Sequence, residues 1–163
     1  MLANTLSVKV KKPFQPNSLL VVNVLSKQEV TTITQKVIIP KVTPKQVYDA
    51  YVDPEKHSEF TDSKATGKPV VGGKFTAWDG YISGKFLELE DGKRVVQEWT
   101  STDFPEGAQP SKLELTFCAV PKGTEIVMVH SNVPKDQKDE TAEGWTEFYW
   151  EPLKEYFKKQ PKA

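Results

Sequence analysis

The side chains with reactive chemistry in this 163-residue sequence form no recognised catalytic pattern. His57 lies in a short polar segment and is predicted to face solvent, whereas His130 precedes Ser131 at the end of a strand pattern. Hydrolytic Ser and His side chains come together from separate parts of a fold, so neighbours in sequence indicate no triad. Glu88 and Glu90 share one face of a predicted strand, which is typical of a solvated edge. We therefore expect no catalytic residue and no enzyme.

Cys118 is the only cysteine, and it alternates with Phe117 on a strand pattern as a small apolar side chain. The chain can form no internal disulfide. One cysteine and two histidines do not complete a structural zinc site without several carboxylates. A single thiol suits a reducing compartment, so we expect a cytoplasmic protein with no metal and no cofactor.

A glycine-rich segment, Gly72–Trp99, raises the question of a phosphate-binding loop. It has neither the G-x-G-x-x-G spacing nor the P-loop spacing, and a strand pattern follows it where a phosphate loop would open a helix. Asp79-Gly80 and Asp91-Gly92 are instead strong hairpin signals. Gly84, in the middle of a strand pattern, is expected to let the sheet bend.

Charge and hydropathy exclude two classes of partner. Lysine plus arginine and aspartate plus glutamate each number 22, so the net charge is zero and no basic field for nucleic acid is expected. The longest apolar run, Leu19–Leu25, is far shorter than the ~20 residues of a membrane-spanning helix. We expect neither a nucleic acid nor a membrane as partner.

The elements that must position the remaining side chains follow from local signals. An alternating segment ends at Pro40, Thr43 and Asp53 are suitable caps for two short helices, and about five strand patterns follow to His130. A charged connector is predicted over Val133–Glu140, before an amphipathic helix. Strands followed by a helix indicate an α+β fold.

The last helix carries one apolar stripe, and Pro152 within it is expected to kink it. A curved antiparallel sheet would wrap around this helix, with most aromatic side chains between them. Trp150 lies off the stripe and is either packed elsewhere or exposed as a binding anchor. If a cavity remains under the helix, its candidate lining is Phe75, Phe86, Trp99, Phe117, Trp145 and Tyr149.

Four segments together resemble the C-terminal domain of the activator of heat-shock protein 90 ATPase family, the AHSA-type domain. They are GGKFTAWDGYISGKFLELEDGKRVVQEWTS, FPEG, TEIVMVHSNVP and EGWTEFYWEPLKEYF, in the order and spacing of the family pattern. The resemblance covers roughly Thr31–Phe157. It implies a helix-grip fold of the START/Bet v 1-like superfamily, with about six strands and two short helices after the first.

The resemblance also implies a division of the chain and two functions. Residues 31–160 would form the domain, residues 1–30 a partly ordered or flexible N-terminal extension, and the family's N-terminal activator domain is expected to be absent. The first function is a non-enzymatic co-chaperone that binds heat-shock protein 90 and stimulates its ATPase, through a candidate surface of Trp150, Lys85, Lys93 and Arg94. The alternative is a carrier or sensor of a small hydrophobic ligand under the helix.

Overall fold

The structure is a computed structural model that describes residues 29–160. The predicted N-terminal extension, residues 1–30, lies almost entirely outside the described residues. The strands are β1 (Val30–Pro40), β2 (Thr66–Gly67), β3 (Lys74–Ala77), β4 (Ile82–Glu90), β5 (Arg94–Ser101), β6 (Ser111–Val120) and β7 (Gly123–Pro134). The α-helices are α1 (Pro44–Val52), α2 (Pro54–Thr61), α3 (Lys138–Trp145) and α4 (Glu151–Lys159).

All seven strands form one antiparallel sheet in the order β1-β7-β6-β5-β4-β3-β2. The first strand therefore returns to pair with the last, and the other neighbours follow chain order. The predicted α+β helix-grip fold is confirmed, with two short helices after β1. The strand beyond the expected six is β2, which spans only two residues and has no period for a sequence pattern to reveal.

The two short helices begin where their caps predict. Thr43 and Gln46 form a capping box: the Thr43 hydroxyl accepts from the Gln46 backbone N–H at 3.2 Å, and the Gln46 side chain accepts from the Thr43 N–H at 2.9 Å. Asp53 ends α1 and caps α2 by accepting from the Glu55 N–H at 2.9 Å. Pro44 and Pro54 occupy first-turn positions, where their missing N–H costs nothing.

Both predicted hairpins are present. The loop between β3 and β4 spans four residues, because Ala77 pairs directly with Ile82. Trp78, Asp79 and Gly80 all have positive φ (55°, 56° and 91°). Left-handed backbone is uncommon for a residue as bulky as tryptophan. The second hairpin closes through Gly92, whose φ of 72° suits glycine.

The C-terminal helical segment starts earlier than predicted and changes its winding. β7 runs to Pro134, and a 3₁₀ turn over Lys135–Gln137 leads into α3 at Lys138. The charged connector predicted over Val133–Glu140 is therefore wrong at both ends, and only the 3₁₀ turn joins the strand to the helix. A π-helical turn, Thr146–Trp150, joins α3 to α4 directly before Pro152, where a kink was predicted. A π turn is one of the usual ways in which a helix bends.

The core lies between the sheet's inner face and this helical segment. Its most deeply buried side chains include Leu113, Leu115, Met128, Trp145 and Leu153, each at most 2% exposed. The helices α1 and α2 cover the rest of that face with Val47, Tyr51 and Phe60. Within residues 29–160, no helix has the length and hydropathy to span a membrane.

Candidate functional site

A cavity of about 510 Å³ opens between the C-terminal helical segment and one end of the sheet. The β3–β4 turn, the end of β5, α3 and the π turn all contribute to its walls. Its aromatic lining consists of Trp78, Tyr81, Trp99, Trp145, Phe148 and Tyr149. Its polar lining consists of Ser101, Asp103, Gln137, Glu140 and Thr141.

The aromatic rings of the cavity form one continuous wall. The ring centroids of Trp78 and Phe148 are 5.5 Å apart in an edge-to-face arrangement, and those of Trp145 and Tyr149 are 4.6 Å apart. The ring centroids of Trp99 and Trp145 are 5.8 Å apart. Phe148 is 47% exposed although it lies on a helix facing the sheet, so the wall reaches the protein surface.

Carboxylates stand at the mouth of the cavity. The Tyr81 hydroxyl donates to Asp103 Oδ2 at 2.6 Å. Burial, followed by this hydrogen bond and by the negative charges of Asp103 and Glu140, raises the pKa of Tyr81. Tyr81 therefore lies in the negative field of both acids. Among residues 29–160, no lysine, arginine or histidine lines the cavity.

A buried hydrogen-bond chain supports the wall from behind. The Trp145 indole N–H donates to His130 Nδ1 at 3.1 Å, so the His130 proton sits on Nε2, which donates to Ser111 Oγ at 2.8 Å. The Ser111 hydroxyl donates in turn to the Trp99 carbonyl. Burial lowers the pKa of His130 to about 3, so the imidazole is neutral.

A serine beside a histidine invites comparison with a hydrolase, and the geometry argues against it. Ser111 and His130 are at most 1% exposed, so no substrate reaches the hydroxyl. In a triad the second histidine nitrogen donates to a carboxylate, whereas His130 Nδ1 accepts from Trp145. The arrangement can hold Trp145 in place.

His57 is buried, at 6% exposure, and the prediction that it faces solvent is wrong. Its Nδ1 donates to the Tyr51 carbonyl at 2.8 Å, and its Nε2 accepts from the Tyr149 hydroxyl at 3.0 Å. Burial lowers the pKa of His57 to about 4, although its bond to the Tyr51 carbonyl favours the charged form. Burial also raises the pKa of Tyr149, so a neutral pair ties α2 to the C-terminal helical segment.

The predicted cavity lining divides into two groups. Trp99, Trp145 and Tyr149 line the cavity. Phe75 and Phe86 do not, because they pack on each other at 5.5 Å beside a much smaller gap near His57. Phe117 is also wrong as a lining residue, since it packs against Tyr48 of α1.

The structure adds residues that the sequence reasoning did not assign to the site. They are Trp78, Tyr81, Phe148, Asp103 and Glu140, all of which line the cavity. The one available signal was aromatic residues on both sides of a hairpin turn, Trp78-Asp-Gly-Tyr81. Which ring faces a cavity depends on the distance between helix and sheet, which no local pattern records.

The four residues of the predicted partner surface lie in different surroundings. Trp150 is 3% exposed and cannot act as a surface anchor; its indole N–H donates to Gln35 Oε1 at 2.7 Å, and its ring stacks on Trp145. Lys85 and Lys93 are exposed and make no ion pair within residues 29–160. Arg94 is committed to Glu88 at 2.6 Å and Glu114 at 2.9 Å.

A shallow depression of about 280 Å³ lies beside Arg94, apart from the main cavity. We call it the β4 patch and define it by Val71, Leu87, Leu89 and Arg94. Val71 is 65% exposed, so the patch presents apolar area to solvent next to charged groups.

Other reactive groups form no further site in the described chain. Cys118 is exposed, so on β6 it is Phe117 that faces the core. Among residues 29–160, no three His, Cys, Asp or Glu side chains are grouped as metal ligands.

Comparison with known proteins places this fold in a family. The family model described as "Activator of Hsp90 ATPase homolog 1-like protein" matches residues 41–158. The human protein named "Activator of 90 kDa heat shock protein ATPase homolog 1" is 32% identical over 115 residues, which cover 71% of this chain and 34% of that protein. A Dictyostelium discoideum protein named as a homolog of the same activator is 31% identical over 116 residues, covering 71% of this chain and 30% of its own.

Solved structures show the same fold at lower identity. A crystal structure of an HSP90 activator from Plasmodium falciparum has a TM-score of 0.67 and 24% identity, covering 79% of this chain and 96% of that chain. A crystal structure of a protein from Mesorhizobium loti has a TM-score of 0.68 and 23% identity, covering 81% and 100%. The chain spans about a third of the length of the curated relatives it matches. By the match over residues 41–158, this chain belongs to the family of Activator of Hsp90 ATPase homolog 1-like proteins.

Proposed function

We propose that this protein is a non-enzymatic, cytoplasmic cofactor of heat-shock protein 90 that binds the chaperone and stimulates its ATPase. The observation that carries the proposal is the family match over residues 41–158, together with relatives named as activators of that ATPase. The exposed, unpaired thiol of Cys118 suits a reducing compartment.

Stimulation without chemistry requires preferential binding to one conformation. A protein shifts its partner's equilibrium only by its difference in affinity for the two states. We infer that the domain binds the ATPase-competent closed chaperone more tightly than the open one. A tenfold preference corresponds to about 1.4 kcal/mol, within the usual range for coupling between sites.

The surface that best suits this role is the β4 patch with Lys85 and Lys93. An apolar centre with a charged rim is the usual anatomy of a protein interface. Lys85 lies on β4 itself and Lys93 in the turn that follows it. Both ammonium groups can pair with acidic groups on a partner, whereas Arg94 would first have to leave its two carboxylates.

The test is a titration of isotope-labelled protein with purified heat-shock protein 90, combined with an ATPase assay. We expect amide signals of the β4 patch to shift and the ATPase rate to rise. Charge reversal at both lysines, Lys85→Glu with Lys93→Glu, should weaken binding about tenfold, since rim charges act on encounter as well as affinity. Lys122→Glu is the matched control, because Lys122 is an exposed lysine in the β6–β7 turn. No shift at high micromolar chaperone would overturn the proposal.

One observation favours a second function, the carriage or sensing of a small ligand. The cavity of about 510 Å³ lies within the usual range of ligand pockets, about 300–1,000 Å³. The relatives' names concern the chaperone, so the ligand function stands second and is proposed in addition to chaperone binding.

A further inference from the structure

The polar side chains that line the cavity are either carboxylates or uncharged. Asp103 and Glu140 bring two carboxylates to its mouth, and Ser101, Gln137 and Thr141 are uncharged. No cationic side chain among residues 29–160 lines the cavity, so the two acids give it a negative potential. This potential favours a ligand that carries positive charge.

The apolar part of the lining is aromatic, and aromatic faces attract cations. Trp78 lies 5.5 Å from Phe148 and 6.4 Å from Tyr149 between ring centroids, so three rings form one corner of the cavity. An aromatic ring that presents its face to a cavity attracts an ammonium group through its quadrupole. Tyr81, whose hydroxyl donates to Asp103, links this corner to the carboxylates.

A third observation comes from the deep end of the cavity. Trp99 lines it and is 5% exposed, and its indole N–H is a buried side-chain donor without an acceptor within residues 29–160. Buried donors are rarely left unpaired, since the missing bond costs free energy. Within residues 29–160, no group of the protein completes this part of the cavity, which leaves a donor for a ligand.

We propose that the cavity is a binding site for a small organic cation, namely an ammonium head group on an aromatic or alkyl body. The head group would lie against the corner formed by Trp78, Phe148 and Tyr149, near the carboxylates of Asp103 and Glu140. The apolar body would extend along Trp145 toward Trp99, where a hydrogen-bond acceptor on the ligand would pair with the indole N–H. The inference rests on the second function proposed above and is independent of chaperone binding.

The test uses three probes of matched shape: benzyltrimethylammonium, neutral benzyl tert-butyl ether and anionic benzylsulfonate. Each is titrated into the full chain while the indole N–H signals of its four tryptophans are followed by NMR. We expect the cation to shift the Trp78 and Trp99 signals with a dissociation constant below about 1 mM. The neutral probe should bind at least about tenfold more weakly and the anion not at all.

Two variants that remove acidic charge test where the cation binds. The double variant Asp103→Asn with Glu140→Gln keeps an acceptor for the Tyr81 hydroxyl and should weaken cation binding about tenfold. Glu143→Gln is its control, because Glu143 is an exposed acid on α3 outside the cavity lining. Equal binding of all three probes, or of the cation to wild type and double variant, would overturn the cation site. Absence of binding by any probe would overturn it too, and chaperone binding, measured without probe, would be unaffected.

Discussion

Two buried histidines make the stability of the protein depend on pH. Burial lowers the pKa of His57 to about 4 and of His130 to about 3, whereas an unfolded histidine titrates near 6.5. Below about pH 6.5 the two histidines therefore bind protons in the unfolded chain but stay neutral in the folded chain. Above this pH the histidines cause no loss of stability. As pH falls toward their pKa values in the folded state, the free energy of unfolding decreases.

Each histidine should remove about 1.4 kcal/mol of unfolding free energy per pH unit between about pH 6 and 4. Urea denaturation at a series of pH values measures this slope. His130→Gln and His57→Gln do not titrate there, so each should lower stability at neutral pH yet flatten the slope by one histidine's share. Variants with the wild-type slope would show that the histidines are not its source.

These same histidines show why sequence reasoning failed for single side chains. His57 sits among Lys56, Ser58 and Glu59, which read as a solvent-exposed helix. Its burial arises because α2 packs under the C-terminal helical segment, where Tyr149 supplies a hydrogen-bond partner 92 positions away in the chain. Trp150 likewise lies off the helical stripe, and its burial depends on Gln35 of β1. A local pattern carries no record of such distant partners.

At the scale of elements, two glycines should respond oppositely to alanine. A Cβ on Gly84 of β4 would overlap the Glu98 backbone oxygen and approach the Phe75 ring at 2.9 Å. A Cβ on Gly144 of α3 would meet only Phe148, at 3.8 Å. Gly84→Ala should therefore destabilise the fold by about 1–3 kcal/mol, as overpacking does, and Gly144→Ala should stabilise it by about 0.5–1 kcal/mol.

Chemical denaturation of both variants at neutral pH tests this pair, with each variant serving as the other's control. A Gly84→Ala variant as stable as the wild type would show that the close approach of β4 to β5 leaves room for a methyl group. The sequence predicts that Gly84 lets the sheet bend. The structure adds a direct steric reason for glycine, since the position faces both a neighbouring strand's carbonyl and an aromatic ring.

The elements that sequence predicted well are those with local stop and start signals. Thr43, Pro44 and Asp53 cap α1 and α2, and Asp-Gly pairs mark both hairpins. For the π turn, the only signal in the sequence was Pro152. A long-range contact lies one turn before the π turn, where the Ala142 carbonyl of α3 accepts from Gln35 Nε2 of β1 at 2.9 Å, across 107 positions in the chain. A local pattern contains no information about such a contact.

For the whole molecule, element order and α+β class followed from the sequence, whereas the cavity did not. Trp99 and Phe117 are both inward-facing aromatic residues on neighbouring strands β5 and β6. Phe117 lies under α1, where Tyr48 covers it, and Trp99 lies under α3, where space remains. The difference is set by how the helices cross the sheet, which arises only when the whole chain packs.

That packing predicts how the molecule opens. β7 is paired along its length with both β1 and β6, whereas β2 pairs with β3 over only two residues. Protection from hydrogen exchange should follow this difference. The free energy of local opening ranges from near zero at edges with few hydrogen bonds to the free energy of global unfolding in the core. Amides of β6 and β7 should exchange only through global unfolding, and those of β2 and β3 through smaller openings.

Native-state exchange by NMR measures both kinds of opening, and Gly144→Ala supplies the control. This variant should slow exchange in β6 and β7 by the factor that corresponds to its added stability, and it should leave exchange in β2 and β3 unchanged. Equal slowing in all four strands would mean that the sheet opens as one unit.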